Sequence, residues 1–418
     1  MTLFEVTAIL LVLTALFGFI NVKLIKLPTM IGVMFLSLAT SVALALCGGP
    51  TARHYAGRLL AHIDFDQALL HGMLAFLLFA GSLNLELNDL AREWGAISML
   101  AVFGTAVSTF AVGGGLWFVL HWIGTDVELI HCLVFGALIS PTDPVAVLGI
   151  LKSAGAPRQL ETLMAGESLF NDGVGVVFFF VLLGIAQGGV PPTAVGVARM
   201  LAWQVAGGIG VGLVTGFVTY ELLRRVDHYQ VEVLLTLALA TGGYALAEAV
   251  GVSAPIAIVV AGLLIGNHGR AFAMSQTTRE HIDTFWELID EILNAVLFLL
   301  IGMEVLVTPF RSSYILAGVA AIGLCLLVRW ASVFGLVHLM RIRRGFCPGT
   351  VTVLTWGGLR GGLSVAMALS LPAGGHRDLL VSLTYCVVVF SVLIQGLTIS
   401  RVTRRSCRTP RAKTPVTV

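Results

Sequence analysis

Apolar blocks of about twenty residues, parted by short polar breaks, recur along the whole of this chain. A helix needs about 20 apolar residues to cross a bilayer. On that scale the pattern predicts about thirteen spans, over residues 4–22, 28–46, 68–87, 96–120, 131–151, 164–187, 200–222, 231–250, 254–267, 289–308, 314–339, 350–372 and 379–399. The ninth is the shortest. The opening MTLFEVTAILLVLTALFGFI has no basic stretch and no small-residue cleavage site before Lys23, so it reads as a first span, not a removed signal. The expectation is an all-α polytopic membrane protein: one transmembrane domain over 1–400, then a short basic tail over 401–418.

Composition agrees with the pattern. Apolar residues make up 57% of the chain and charged residues 11%, against roughly 25% charged in a soluble domain. Mean hydropathy is +0.95. A net charge of +2 is too small to suggest nucleic acid as a partner; membrane lipid is the expected surrounding. The six cysteines show no CxxC spacing and read as buried thiols, not as a disulfide framework or zinc site.

Charge becomes informative once mapped onto loops. With thirteen spans, one side of the membrane holds eighteen of the 25 Lys and Arg, and the other holds Arg53, Arg58, Arg199, Arg311 and Arg377. The positive-inside rule then puts the C-terminus in the cytoplasm and the N-terminus outside a cell (inner) membrane. The last two, Arg329 and Arg360, fall near the middle of spans 11 and 12. A charge at that depth costs at least about 2.5–3.5 kcal/mol unless it is paired or wetted, so buried acidic partners are expected.

Spans 5 and 6 supply them. Span 5 contains ISPTDPVAV, with Asp143 between Pro141 and Pro144; the prolines remove backbone donors and should open the helix. Span 12 contains TWGGLRGGLS, with Arg360 between two glycine pairs, a second expected break. The two lie seven spans apart, which fits an inverted repeat whose unwound helices cross at mid-membrane. Opposed helix ends there would set Asp143 against the positive ends and Arg360 against the negative ones.

Span 6 opens with GESLFNDG, where Glu167 and Asn171 are four apart, as are Ser168 and Asp172. Carboxylate, hydroxyl and amide oxygens suit a hard cation such as Na⁺ or Li⁺, and a carbonyl freed at Thr142 could complete the shell. Asp143, Glu167 and Asp172 bring three negative charges against two arginines. One monovalent cation or one proton cancels the remainder, but not both together. A carboxyl short of water holds its proton more readily, so one acid can trade a proton for a cation. No cofactor is called for beyond the transported ions.

PTDP, GESLFNDG and GLRGG, together with an Arg in span 11, resemble the NhaP and NHE-type sodium/proton antiporters of the cation/proton antiporter superfamily, in short-tailed prokaryotic form. That resemblance implies that Asp172 is the cation- and proton-binding carboxylate, with Glu167, Ser168 and the Thr142 carbonyl helping to coordinate the ion. Asn171 stands where electrogenic relatives have a second aspartate, which implies electroneutral one-for-one exchange. Asp143 and Arg360 would belong to the crossed helices, and Arg329 would pair with Glu167. A homodimer, with a core domain sliding elevator-like against a dimerisation domain, is implied as well.

Other readings weigh against these. Asp143 and Arg360 could be purely structural. Glu248 and Glu304 fall near outer span ends and read as headgroup-level carboxylates. Glu287, Asp290 and Glu291 could draw cations to an inner funnel or sense pH, but read rather as a solvated helix start that favours acids. His71 and His131 read as interfacial. The glycines of AVGGGLWFV and VAGGIGVGLVTG read as helix-packing positions. K⁺/H⁺ exchange is the alternative the donor set does not separate. An intramembrane aspartyl protease would need YD and GxGD, a channel would need a filter loop, and none is visible.

Overall fold

The computed structural model describes residues 2–47, 72–154, 156–189, 193–306, 312–341, 346, 349–372, 374 and 376–406. Arg53, Arg58, His71, Arg311, Arg343, Arg344, Cys347, Cys407 and the rest of the tail lie outside them. So does the start of the third expected span.

Helices account for nearly all of the described chain. They run α1 Phe4–Ile25, α2 Thr29–Cys47, α3 Leu74–Leu83, α4 Leu87–Trp122, α5 Leu129–Ile139, α6 Val145–Ala154, α7 Arg158–Ala186 and α8 Val195–Leu223. After these come α9 Tyr229–Val250, α10 Ala254–Phe272, α11 Gln276–Glu304, α12 Ser312–Arg341, α13 Thr350–Gly357, α14 Gly362–Leu369 and α15 Arg377–Ser406. Among the described residues, nine are long and apolar enough to cross a membrane, and α3 and α5 are shorter apolar helices.

Several helices outrun the spans the hydropathy pattern marks. α4 starts at Leu87, at the end of the third expected span, and α7 at Arg158 and α11 at Gln276, in polar stretches the pattern assigns to loops. Backbone hydrogen bonding can continue through polar turns, and a side-chain cap can start it. Ser275 does so for α11, its side chain accepting from the Thr278 N–H at 3.3 Å. This corrects the reading of Glu287, Asp290 and Glu291, which sit well inside α11 and not at its start. Glu304 is corrected too: it is buried and within electrostatic reach of Arg377, whereas Glu248 is exposed.

Glycine-rich faces bring helices close. α8 lies against α10, with Gly208 and Gly212 facing the carbonyls of Ser253 and Ala257, where a side chain would collide. Gly113 and Gly136 do the same between α4 and α5. Small residues at such crossings let backbones approach, the packing mode expected in lipid. α7 runs through this bundle against α5 and α4, with the GESLFND segment buried at its centre.

Candidate functional site

Both expected breaks are present. Residues 140–144 separate α5 from α6, and residues 358–361 separate α13 from α14. The two breaks are bound to each other: the Asp143 N–H donates to the Leu359 carbonyl at 2.8 Å. Arg360, buried, donates through Nη1 to the Ser140 carbonyl and to the Pro141 carbonyl, the latter at 2.8 Å. Its positive charge therefore sits on the C-terminal end of α5, where free carbonyls point. Asp143 Oδ1 accepts from the Val145 N–H at 2.9 Å, placing a carboxylate at the N-terminal end of α6. Behind Arg360, its own N–H donates to Ser391 Oγ at 2.9 Å, and Gln395 donates to the Trp356 carbonyl at 3.1 Å. Both come from a π-helical turn of α15, Ser391–Gln395, which braces the second break.

The four polar residues of α7 divide between two faces. Glu167 is buried, and both of its oxygens accept from Arg329: Oε1 from Nη1, and Oε2 from Nη2 at 3.0 Å. Arg329 also donates to the Leu354 carbonyl, from Nη2 at 3.1 Å and from Nε at 3.3 Å. Glu167 is thus spoken for, and it does not line the cavity on the other side of α7. Both of its oxygens are directed at the guanidinium; Ser168 and Asn171 lie off that cavity as well.

Asn171 and Ser168 grip Thr142. The Thr142 N–H donates to Asn171 Oδ1 at 3.2 Å, Asn171 Nδ2 donates to Thr142 Oγ1 at 2.8 Å, and the Thr142 and Ser168 hydroxyls lie 3.0 Å apart. One amide thereby fixes both the backbone and the side chain of the unwound segment.

Asp172 faces the other way. It lines a cavity of about 840 Å³, shared with Thr142 and Asp143, whose mouth is lined by the exposed Glu86, Lys152 and Arg158. Among the described residues no cation pairs with it. The cavity is acidic: Glu86 and Asp89 from α4 and its entrance, Glu161 and Asp172 from α7, Asp283, Glu287, Asp290 and Glu291 from α11, and Asp143, against Lys152 and Arg158. Asp283 is already paired with Arg270. A cleft lined by one sign of charge concentrates counter-ions.

The α11 wall includes Glu287, Asp290 and Glu291, for which an inner cation funnel was the reading set aside, together with Asp283 and Asn294, which sequence reading did not name. Asp283, Glu287, Asp290 or Glu291, Asn294 and Leu297 recur at three- and four-residue steps, a single helical face. That spacing was the available signal. Asn294 steadies the wall by donating to Asp290 Oδ1 at 3.1 Å.

The sequence pattern of the transmembrane sodium/hydrogen exchanger family matches residues 9–405. The chain belongs to that family. It is 48% identical over 408 residues to the Na(+)/H(+) antiporter NhaP of Pseudomonas aeruginosa, covering 96% of each. To the Na(+)/H(+) antiporter NhaH of Halobacillus dabanensis it is 34% identical, covering 90% of this chain and 91% of that one. The fold is similar to that of the sodium proton antiporter MjNhaP1 from Methanocaldococcus jannaschii, with a TM-score of 0.76 at 18% identity, over 98% of this chain and 100% of that one.

For this exchanger-family chain, the crossing itself supplies a prediction. Gly361 lies so close to Asp143 that an added Cβ would overlap its carboxylate. Gly361→Ala is expected to cost about 1–3 kcal/mol through forced displacement of the crossing. The measurement is the melting temperature of detergent-purified protein; a value equal to wild type would show that the contact has room to give.

Proposed function

We propose that the protein is a secondary active antiporter, exchanging one Na⁺ or Li⁺ for one proton by competition at Asp172. One observation carries this: Asp172 stands in an acid-lined cavity without a cationic partner among the described residues, while the neighbouring carboxylate, Glu167, is held by Arg329. With that pair neutral, and Asp143 and Arg360 set against opposite helix ends, Asp172 supplies the one unmatched charge at the crossing itself. One cation cancels it, or one proton does, which makes the exchange electroneutral. Thr142 and Ser168 would add neutral oxygens to the ion's shell, and Asn171 positions Thr142. The family is one of transporters, and the protease reading falls with it.

The architecture is read in the same terms. α5 with α6, and α13 with α14, are taken as two unwound crossing helices within about thirteen spans related by an inverted repeat. The cavity mouth carries Lys152 and Arg158, on the side richer in basic residues, so we take it to face the cytoplasm. A homodimer, a core domain moving against a dimerisation domain, and residence in the inner membrane complete the reading.

The test is dequenching of a ΔpH indicator in everted vesicles on adding Na⁺, Li⁺ and K⁺ in turn. Na⁺ and Li⁺ are expected to respond; a response to K⁺ alone would move the assignment to K⁺/H⁺ exchange. A rate steeply dependent on membrane voltage would contradict one-for-one exchange. Asn171→Asp tests the same count differently. An aspartate keeps the acceptor for the Thr142 N–H but loses the donor to Thr142 Oγ1. Proteoliposomes bearing it are expected to pass no Na⁺-driven current, and a sustained current would overturn the role given to Asn171.

A further inference from the structure

Several of the buried serines close a hydrogen bond onto a carbonyl. Ser37 donates to Leu299 at 2.7 Å, Ser82 to Phe79 at 2.9 Å, Ser140 to Gly136 at 2.6 Å and Ser382 to Asp378 at 2.7 Å. Ser364 does not. It is 1% exposed, and its hydroxyl has no partner. A buried hydroxyl left unmet is unfavourable, and such a group calls for an explanation: strain, a functional role, or a water or ion that meets it.

Its position says what that is. Among the described residues four other hydroxyls lack partners, those of Ser108, Thr355, Tyr385 and Thr403, and none of these lines the acidic cavity. Thr355 opens instead onto a void of about 10 Å³ beside Arg329 and Arg360, room for a single water. Ser364 alone of the five lines the wall shared with Thr142, Asp143 and Asp172. It follows Gly361, which touches the Asp143 carboxylate, by three residues at the start of α14, and so shares its side of the helix. Leu297 of α11 packs on Gly362 from across the cavity, fixing this first turn.

We propose that the Ser364 hydroxyl is a further ligand of the transported cation, a neutral oxygen that sets how tightly a small alkali ion is held. The proposal rests on the exchange reading above. A hydroxyl oxygen has two lone pairs to offer, and with carboxylates it makes the all-oxygen set a hard monovalent cation takes. It brings no charge, so it leaves the one-for-one count untouched. What it changes is the cation's affinity relative to the proton's at the same carboxylate.

The experiment is Na⁺-driven proton flux in proteoliposomes, with wild type, Ser364→Ala, Ser364→Thr and Asp172→Asn side by side, plus the melting temperature of each in Na⁺-free buffer. Ser364→Ala is expected to raise the apparent KM for Na⁺ about tenfold, the loss of one ion contact. Its maximal rate should stay within about twofold, and its Na⁺-free melting temperature should not fall, since no protein hydrogen bond is broken. Ser364→Thr, which keeps the hydroxyl, should return KM toward wild type. An unchanged KM in Ser364→Ala, with Asp172→Asn silent, overturns the ligand and leaves the exchange reading standing. A lowered melting temperature and a lowered maximal rate together would make the hydroxyl structural and overturn it as well. A wild type indifferent to Na⁺ overturns both.

Discussion

Asp172→Asn is expected to reduce Na⁺-driven ΔpH collapse to that of vesicles lacking the protein, with the protein still folded in the membrane. The substitution keeps the shape of the side chain and removes its charge. The charges of the two breaks and of Glu167 are already matched: Glu167 by Arg329, Arg360 by carbonyls at the end of α5, Asp143 by the start of α6. With an amide at 172 the crossing itself offers neither cation nor proton a charge to cancel. The same variant should lose any Na⁺-dependent rise in melting temperature, because a ligand stabilises only the form that binds it. Dequenching equal to wild type would remove Asp172 from the mechanism.

Breaking the ion pair behind the site should act on the fold first. Arg329→Ala leaves Glu167 buried and uncompensated, and removing one partner of a buried pair costs about 3–5 kcal/mol. Arg329 also holds the Leu354 carbonyl near the end of α13, so the loss should spread toward the second break. The expected result is a sharply lower yield of folded protein and a lower melting temperature. The double variant Glu167→Ala with Arg329→Ala, which removes both charges, should melt higher than Arg329→Ala alone. If the double variant melts lower than the single, the pair is not acting through charge balance.

Much of this was legible in the sequence, for identifiable reasons. Pro141 and Pro144 cannot continue a helix, and glycine pairs on both sides of Arg360 weaken one, so the two breaks followed from local chemistry. Two mid-span arginines called for buried acidic partners; Arg329 takes Glu167, whereas Arg360 takes the Ser140 and Pro141 carbonyls instead. The helical phase of α7 was less accessible. Four-residue spacing shows that Glu167 and Asn171 share a face, but not whether that face meets water or Arg329. The tertiary packing of α12 decides it. The extent of α11 was hidden because hydropathy marks only the apolar part of a helix, so Glu287, Asp290 and Glu291 looked like its beginning. Ser364 sits inside the run GGLSVAMALS, where nothing local separates a hydroxyl that closes onto the backbone from one that does not.

The backbone link from Asp143 to Leu359, with Arg360 clasping Ser140 and Pro141, has a mechanical consequence. Two broken helices stitched at their knot cannot be pulled apart to let an ion through, because parting them would strand those donors and acceptors in a dry interior. On the exchange reading proposed above, a motion that takes Asp172 from one aqueous phase to the other is expected to carry the knot whole, like a bead on a sliding frame, with the give in the surrounding contacts.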